Sequence, residues 1–233
     1  MRPTPRAQRL APEIRRILGE VRSALREQPT FDPARSDRRF SIVGADFVAA
    51  CLVPLLATFE RKAPGVSVEL VSPRRSMADD VAAGRHDLVI APPPEGTLPG
   101  ITVRSFASLE WVVFARRGHP AVRTWGYEAW LAHRHVRIRT TSSGPGPVDE
   151  ALGDDASRRR AGPTLPHFLL APALLAQSDL LLTVPKAVLA GVAPKFRLVA
   201  LPVPLELDPV ELSVWIGTRF SAQPGLVWFE QQL

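Results

Sequence analysis

Cysteine is all but absent from this sequence. The 233 residues hold one, Cys51, so no disulfide can form within the chain. Cys51 lies in the apolar run from Phe47 to Leu56, which predicts a buried, inert thiol rather than a nucleophile. Long apolar runs are missing too. No stretch reaches the roughly 20 residues of a membrane helix, and the Arg-rich start has no apolar core of the kind a secretory leader carries. These absences predict a cytoplasmic chain with no membrane contact and weigh against a secreted solute-binding protein.

Catalytic and metal patterns are also lacking. Gly144-Pro145-Gly146 is not followed by the Lys and Ser/Thr of a phosphate-binding loop. Ser142 and Ser143 stand outside a nucleophile-elbow pattern. His86, His119, His133, His135 and His167 do not make a metal set with Cys51. His133 and His135 are two apart, and no further Cys or carboxylate falls at a closing interval. No paired acid and base stand out. The expectation is a protein that is not an enzyme and needs no metal or cofactor.

Proline, by contrast, is plentiful: 24 residues, spread through the connections, as expected of many short elements joined by stiff turns. The net charge of +6 is uneven. Residues 1–27 carry seven Arg against three Glu, and Arg158, Arg159 and Arg160 form a second basic run. That run reads as a solvated face. Within residues 6–27, Leu10, Ile14, Ile17, Val21 and Ala24 or Leu25 recur at steps of four and three, the seam of a coiled coil. Pro12 fits if the helix begins near Ala11 and the proline sits in its first turn. So short and polar a helix should pair with a copy of itself or with a body. Residues 28–37, with Pro29, Asp32, Pro33 and Ser36, read as a linker.

After the linker, strand and helix alternate. Strands are expected at Phe40–Gly44, Val66–Val71, Leu88–Ala91, Val103–Phe106 and Trp111–Ala115, with helices at Asp46–Lys62 and Ser76–Ala83. From Arg116 a second unit starts, with strands at Val136–Ile138, Leu180–Val184 and Phe196–Leu201. Its helices fall near Tyr127–Leu131, Val148–Leu152, Phe168–Ala176 and Pro185–Ala190. Leu212–Ile216 is one more strand and Pro224–Leu233 a last helix. Such alternation implies parallel sheet covered on both faces.

Several strings then carry a resemblance. Ala63-Pro64-Gly65-Val66 after a long helix, Gly84-Arg85-His86-Asp87-Leu88 before a strand, Arg116-Arg117-Gly118-His119-Pro120 after one, and Thr183-Val184-Pro185 occur in the order and spacing of the LysR-type transcriptional regulators. Arg2-Pro3-Thr4-Pro5-Arg6-Ala7 resembles the tail of that family's winged helix-turn-helix, and residues 8–27 its linker helix. Phe31-Asp32-Pro33, Ser36, Arg38, Phe40 and Ala45-Asp46-Phe47 are similar to the branch that senses nodulation flavonoids and aromatic acids such as salicylate.

The resemblance implies an α/β fold of two Rossmann-like subdomains, of the type-two periplasmic binding protein kind, preceded by an N-terminal linker helix. Residues 1–29 would be the wing remnant and linker helix. Residues 38–112 with 212–233 would form subdomain one, and 113–211 subdomain two. It implies a ligand-sensing regulatory module with a small-molecule effector, aromatic or otherwise a carboxylate, in the cleft between them. The chain would form a homodimer or homotetramer and reach DNA only through a helix-turn-helix that this sequence does not contain. The alternative is a truncated small-molecule-binding and dimerisation protein with no DNA-binding activity of its own.

In open α/β sheets a ligand lies beyond the carboxyl ends of strands. Those ends supply the candidate effector residues: Ala45, Phe47, Arg74, Arg75, Ser76, Pro92, Thr140, Thr141, Ser142 and Thr183. Arg74 or Arg75 could give a bidentate carboxylate contact. His167 and Phe168 precede a helix and could face an aromatic ring, and in the aromatic-acid branch the matching histidine lies in the pocket. Many family members place a hydroxyl near Ala45, so one anion contact is lost here. Asp46 is expected to cap its own helix.

Overall fold

A computed structural model of the chain describes Thr4, Arg6, Leu10, Ala11, Glu13, Ile14 and residues 16–19, 31–139 and 146–233. Apart from Thr4, the described residues before 20 are helical, and Leu10, Ile14, Ile17 and Leu18 are each close to half exposed. Val21, Ala24 and Leu25 of the expected seam lie outside the described residues.

Strand β1 (Arg39–Gly44) alternates as its sequence predicts, with Phe40 and Ile42 fully buried. The chain turns directly into α1 (Asp46–Lys62), which buries Phe47, Val48, Leu52 and Phe59. The helix stops at Ala63, whose N–H donates to Phe59 O. Gly65 then passes so close to the linker that a Cβ there would lie 2.5 Å from Ser36 O, which only glycine avoids. Strand β2 (Ser67–Val71) returns parallel to β1, and β3 (Leu88–Ala91) adds on β1's other side after the short α2 (Met77–Ala82). Strands β4 (Ile101–Leu109) and β10 (Val210–Gly217) complete a sheet of order β2-β1-β3-β10-β4.

The second sheet begins at once with β5 (Trp111–Arg116). It continues through α3 (Tyr127–Ala132), β6 (Arg134–Ile138), α4 (Pro147–Leu152), β7 (Ala161–Leu165), α5 (Ala171–Leu175), β8 (Leu180–Pro185), α6 (Lys186–Ala190) and β9 (Leu198–Pro202). Its order is β7-β6-β8-β5-β9. The last helix, α7 (Pro224–Glu230), packs back on the first sheet, with the Phe229 ring 4.7 Å from Phe40 and Trp228 4.9 Å from Phe59.

Three expectations need correction. The sheets are mixed, not parallel throughout. β10 runs antiparallel to β3 and β4, and β5 antiparallel to β8 and β9, because the chain crosses between the sheets and back again. The crossings fall at Glu110 and in residues 203–209, so Trp111 and Val112 join the second sheet and Val210 and Glu211 the first. Cys51 is exposed rather than buried, at a groove that it lines with Phe47, Leu52 and Leu55 of the same helix. Arg159 is 7% exposed, so the basic run is not a single solvated face: its neighbours point outward and it points in.

Candidate functional site

A cavity of about 380 Å³ opens between the two sheets. One wall comes from the carboxyl ends of β1 and β3 and from the turn after β2: Ala45, Phe47, Pro73, Met77, Ile90 and Pro92. The opposite wall comes from β6, α4 and β8, with Arg137, Ile138, Arg139, Asp149 and Thr183. Phe168 stands beside it, and the crossing strands provide Leu109, Trp111, Val210 and Leu212. Those crossings are tied together. The Trp111 indole N–H donates to Asp208 O at 2.9 Å, and Lys186 N–H donates to Glu110 O at 2.8 Å.

Of the residues singled out from the sequence, the fold brings Ala45, Phe47, Pro92, Phe168 and Thr183 together on this cavity. Arg74, Arg75, Ser76 and His167 are exposed and stand outside its walls. The Ser76 hydroxyl donates instead to Asp80 at 2.8 Å. Thr140, Thr141 and Ser142 lie outside the described residues.

Asp46 does not cap its own helix: α1 starts after Ala45 with no side-chain cap. Its carboxylate reaches across to the second unit. Oδ1 accepts from Phe168 N–H at 3.1 Å and Oδ2 from Leu169 N–H at 2.7 Å. The anion thus sits on the first amides of the 3-10 turn Phe168–Leu170 that leads into α5. Beside it the Phe47 and Phe168 rings meet edge to face at 5.1 Å. This polar and aromatic pair joins the two units at one side of the cavity.

The charged groups of the cavity were not legible in the sequence. Arg159 donates to Asp149 at 2.8 Å, and its guanidinium stands 5.6 Å from the Trp130 ring. Burial, only partly offset by Asp149, lowers the Arg159 pKa from its ordinary value. Trp130 is fully buried, and its indole N–H donates to Thr183 Oγ1 at 3.2 Å. The Thr183 hydroxyl therefore keeps its own proton for an acceptor. Beneath Trp130, His135 shares a 2.8 Å hydrogen bond with Trp130 O. Burial first, then the Arg159 charge, pushes the His135 pKa down from 6.5 to about 3. The ring is neutral at physiological pH, and it can bond a carbonyl only by carrying its proton on Nε2. Sequence alternation in Val136-Arg137-Ile138 could have hinted that Arg137 faces away from its neighbours. Nothing in the Arg158–Arg160 run marked the middle residue as the buried one.

A cleft of this kind, walled by two mixed sheets that the chain joins at two crossings, defines a two-subdomain ligand-binding module. The chain belongs to the LysR substrate binding domain family, which it matches over residues 37–233. It is the ligand-sensing part of a LysR-type regulator, with the periplasmic-binding-protein-like fold. The HTH-type transcriptional activator NagR of a Ralstonia species is 26% identical over 234 residues, covering 99% of this chain and 77% of its own length. NahR of Pseudomonas putida, also an HTH-type transcriptional activator, is 27% identical over 238 residues, covering 99% and 78%. Among solved structures, the transcriptional regulator PA0477 of Pseudomonas aeruginosa superposes with a TM-score of 0.84 at 29% identity. That match covers the whole of this chain and 78% of the other.

Proposed function

We propose that this chain senses a small carboxylate with an apolar body, an aromatic acid above all, and that binding resets the angle between its two subdomains. The observation that supports this most is the cavity itself, largely apolar and walled from both sheets. A ligand can shift the balance between two arrangements only through contacts that differ between them, and a ligand touching both walls makes such contacts. The ring packs against Phe47, Phe168 and Trp111. The subdomains turn on the crossings at Glu110 and 203–209, and their angle is passed to a helix-turn-helix outside this sequence. In this reading the module acts in the cytoplasm, catalyses nothing, and makes no direct base contacts of its own. Calorimetric titration of the full chain with salicylate, benzoate and their amides tests it. At least one of these should bind at a stoichiometry of one per chain, and Phe168→Asp should abolish the heat. No heat from any of the four would end the reading.

We further infer that the chain associates as a dimer or tetramer, partly through the apolar stripe exposed at Leu10, Ile14 and Ile17. Light scattering of the intact chain should give a mass of at least two chains, falling when residues 1–29 are deleted. A monomer at micromolar concentration would refute the association.

A further inference from the structure

We propose that Arg137 is the anion anchor of the cavity and that it selects a ligand carrying a single negative charge at one end of an apolar body. This rests on the reading that the cavity is the effector site, and it adds which end of the ligand points where.

Among the described residues, the ionisable side chains on the cavity wall are three arginines, Arg137, Arg139 and Arg159, and one carboxylate, Asp149. They are not equivalent. Arg139 is exposed and stays hydrated. Arg159 has a side chain only 5% exposed and is committed to Asp149 by a 2.8 Å hydrogen bond. Arg137 comes third. Its Nη2 is 3.7 Å from the same Asp149 oxygen, too long for a hydrogen bond. Its side chain is about three-quarters buried, and its Nε is buried with no hydrogen-bond partner. Among the described residues one carboxylate therefore serves two guanidiniums, and it serves Arg159 first. A cation left in this state loses much of its hydration and gains only a distant share of Asp149, which is unfavourable until an anion arrives.

Two backbone donors beside the cavity are already used. The amides of Phe168 and Leu169 hold Asp46, so a ligand carboxylate gains nothing there without displacing a carboxylate of the protein. Among the described residues nothing accepts from the Thr183 hydroxyl, which lies on a strand adjacent to the one that carries Arg137. A carboxylate at Arg137 with Thr183 within reach meets a planar, forked donor and a hydroxyl. Away from these arginines, Asp149 and Thr183 the wall is apolar, so a second charge at the far end of the ligand would be buried without a partner. A cationic ligand would meet uncompensated positive charge.

The test uses the full chain as wild type, Arg137→Gln and Arg137→Met, titrated with benzoate, salicylate, benzamide and salicylamide. Wild type should bind each acid at least about 30-fold tighter than its amide, as expected when a charge-assisted bond is exchanged for a neutral one. Arg137→Gln should weaken the acids by roughly 10- to 100-fold and leave the amides within about threefold, so the acid-to-amide ratio collapses. Ligand-free Arg137→Met should melt at the same or a higher temperature than wild type, since it removes a partly desolvated charge whose one carboxylate is already taken by Arg159. A lower melting temperature, or a variant that does not fold, would mean that Arg137 serves to hold Asp149, and would overturn the anchor. So would equal binding of acid and amide, or acid binding undiminished in Arg137→Gln, with the cavity reading left standing. Heat from none of the four compounds would remove both.

Discussion

Replacing Asp149 by alanine is expected to destabilise the protein by about 3–5 kcal/mol, the range for taking one partner from a buried ion pair. Asp149 is the sole carboxylate on the cavity wall among the described residues and accepts from Arg159, whose side chain is 5% exposed. Arg137 lies 3.7 Å from the same oxygen. Without Asp149, two guanidiniums would face each other in a desolvated wall with no counter-charge among the described residues. Neither could lose its proton to relieve the repulsion, because arginine stays charged. Asp149→Asn keeps an acceptor for Arg159 but no charge and should fall between alanine and wild type. Urea unfolding reads the effect as a lower midpoint at an unchanged slope. A shift of under about 1 kcal/mol would place the pair in the weak class of exposed salt bridges instead.

Asp46→Ala is expected to act on both stability and the joint between the units. The two amide bonds at 3.1 and 2.7 Å have a charged acceptor, a class worth about 1.5–3 kcal/mol each at most. Because the site is only partly buried, water replaces part of that loss, and a net cost of about 2 kcal/mol is expected. The more telling readout is local. Hydrogen exchange at the Phe168 and Leu169 amides should quicken well beyond the change at core amides of β1 or β8. Asp46→Asn retains acceptor oxygen for one amide and should protect one better than the other. Exchange that rises equally everywhere would show that Asp46 contributes only to global stability and does not hold the units together.

Much of the architecture could be read from local pattern. The alternation in β1, the long amphipathic α1 and its stop at Ala63-Pro64-Gly65 all follow from residue spacing and turn chemistry, and each stands where expected. Strand β7 did not show itself. Its sequence Ala-Gly-Pro-Thr-Leu contains two residues that strands avoid. Both are admitted for tertiary reasons. β7 is the edge of the second sheet, where proline's missing N–H costs little, and a Cβ at Gly162 would lie 2.6 Å from His135 O on the neighbouring strand. β4 runs longer than the expected Val103–Phe106, and none of its nine residues is buried, so no buried face repeats along it.

The site divides along the same line. The strand ends that carry Ala45, Phe47, Pro92 and Thr183 were identifiable because a ligand position beyond strand termini follows from the chain's element order alone. Periodicity, turn residues and the order of motifs thus determined the fold class and which loops converge. They could not determine where Asp46, Arg137 and Arg159 point. Asp46 reaches amides 122 and 123 residues away, and Arg159, in the bend before β7, meets a carboxylate on α4. The Asp46 pairing is set by how the two sheets dock and the Arg159 pairing by how the second unit packs, and charge in a sequence carries a sign but no direction. Only the packed structure decides which arginine of Arg158–Arg160 is turned inward and which of two arginines is left sharing a single aspartate.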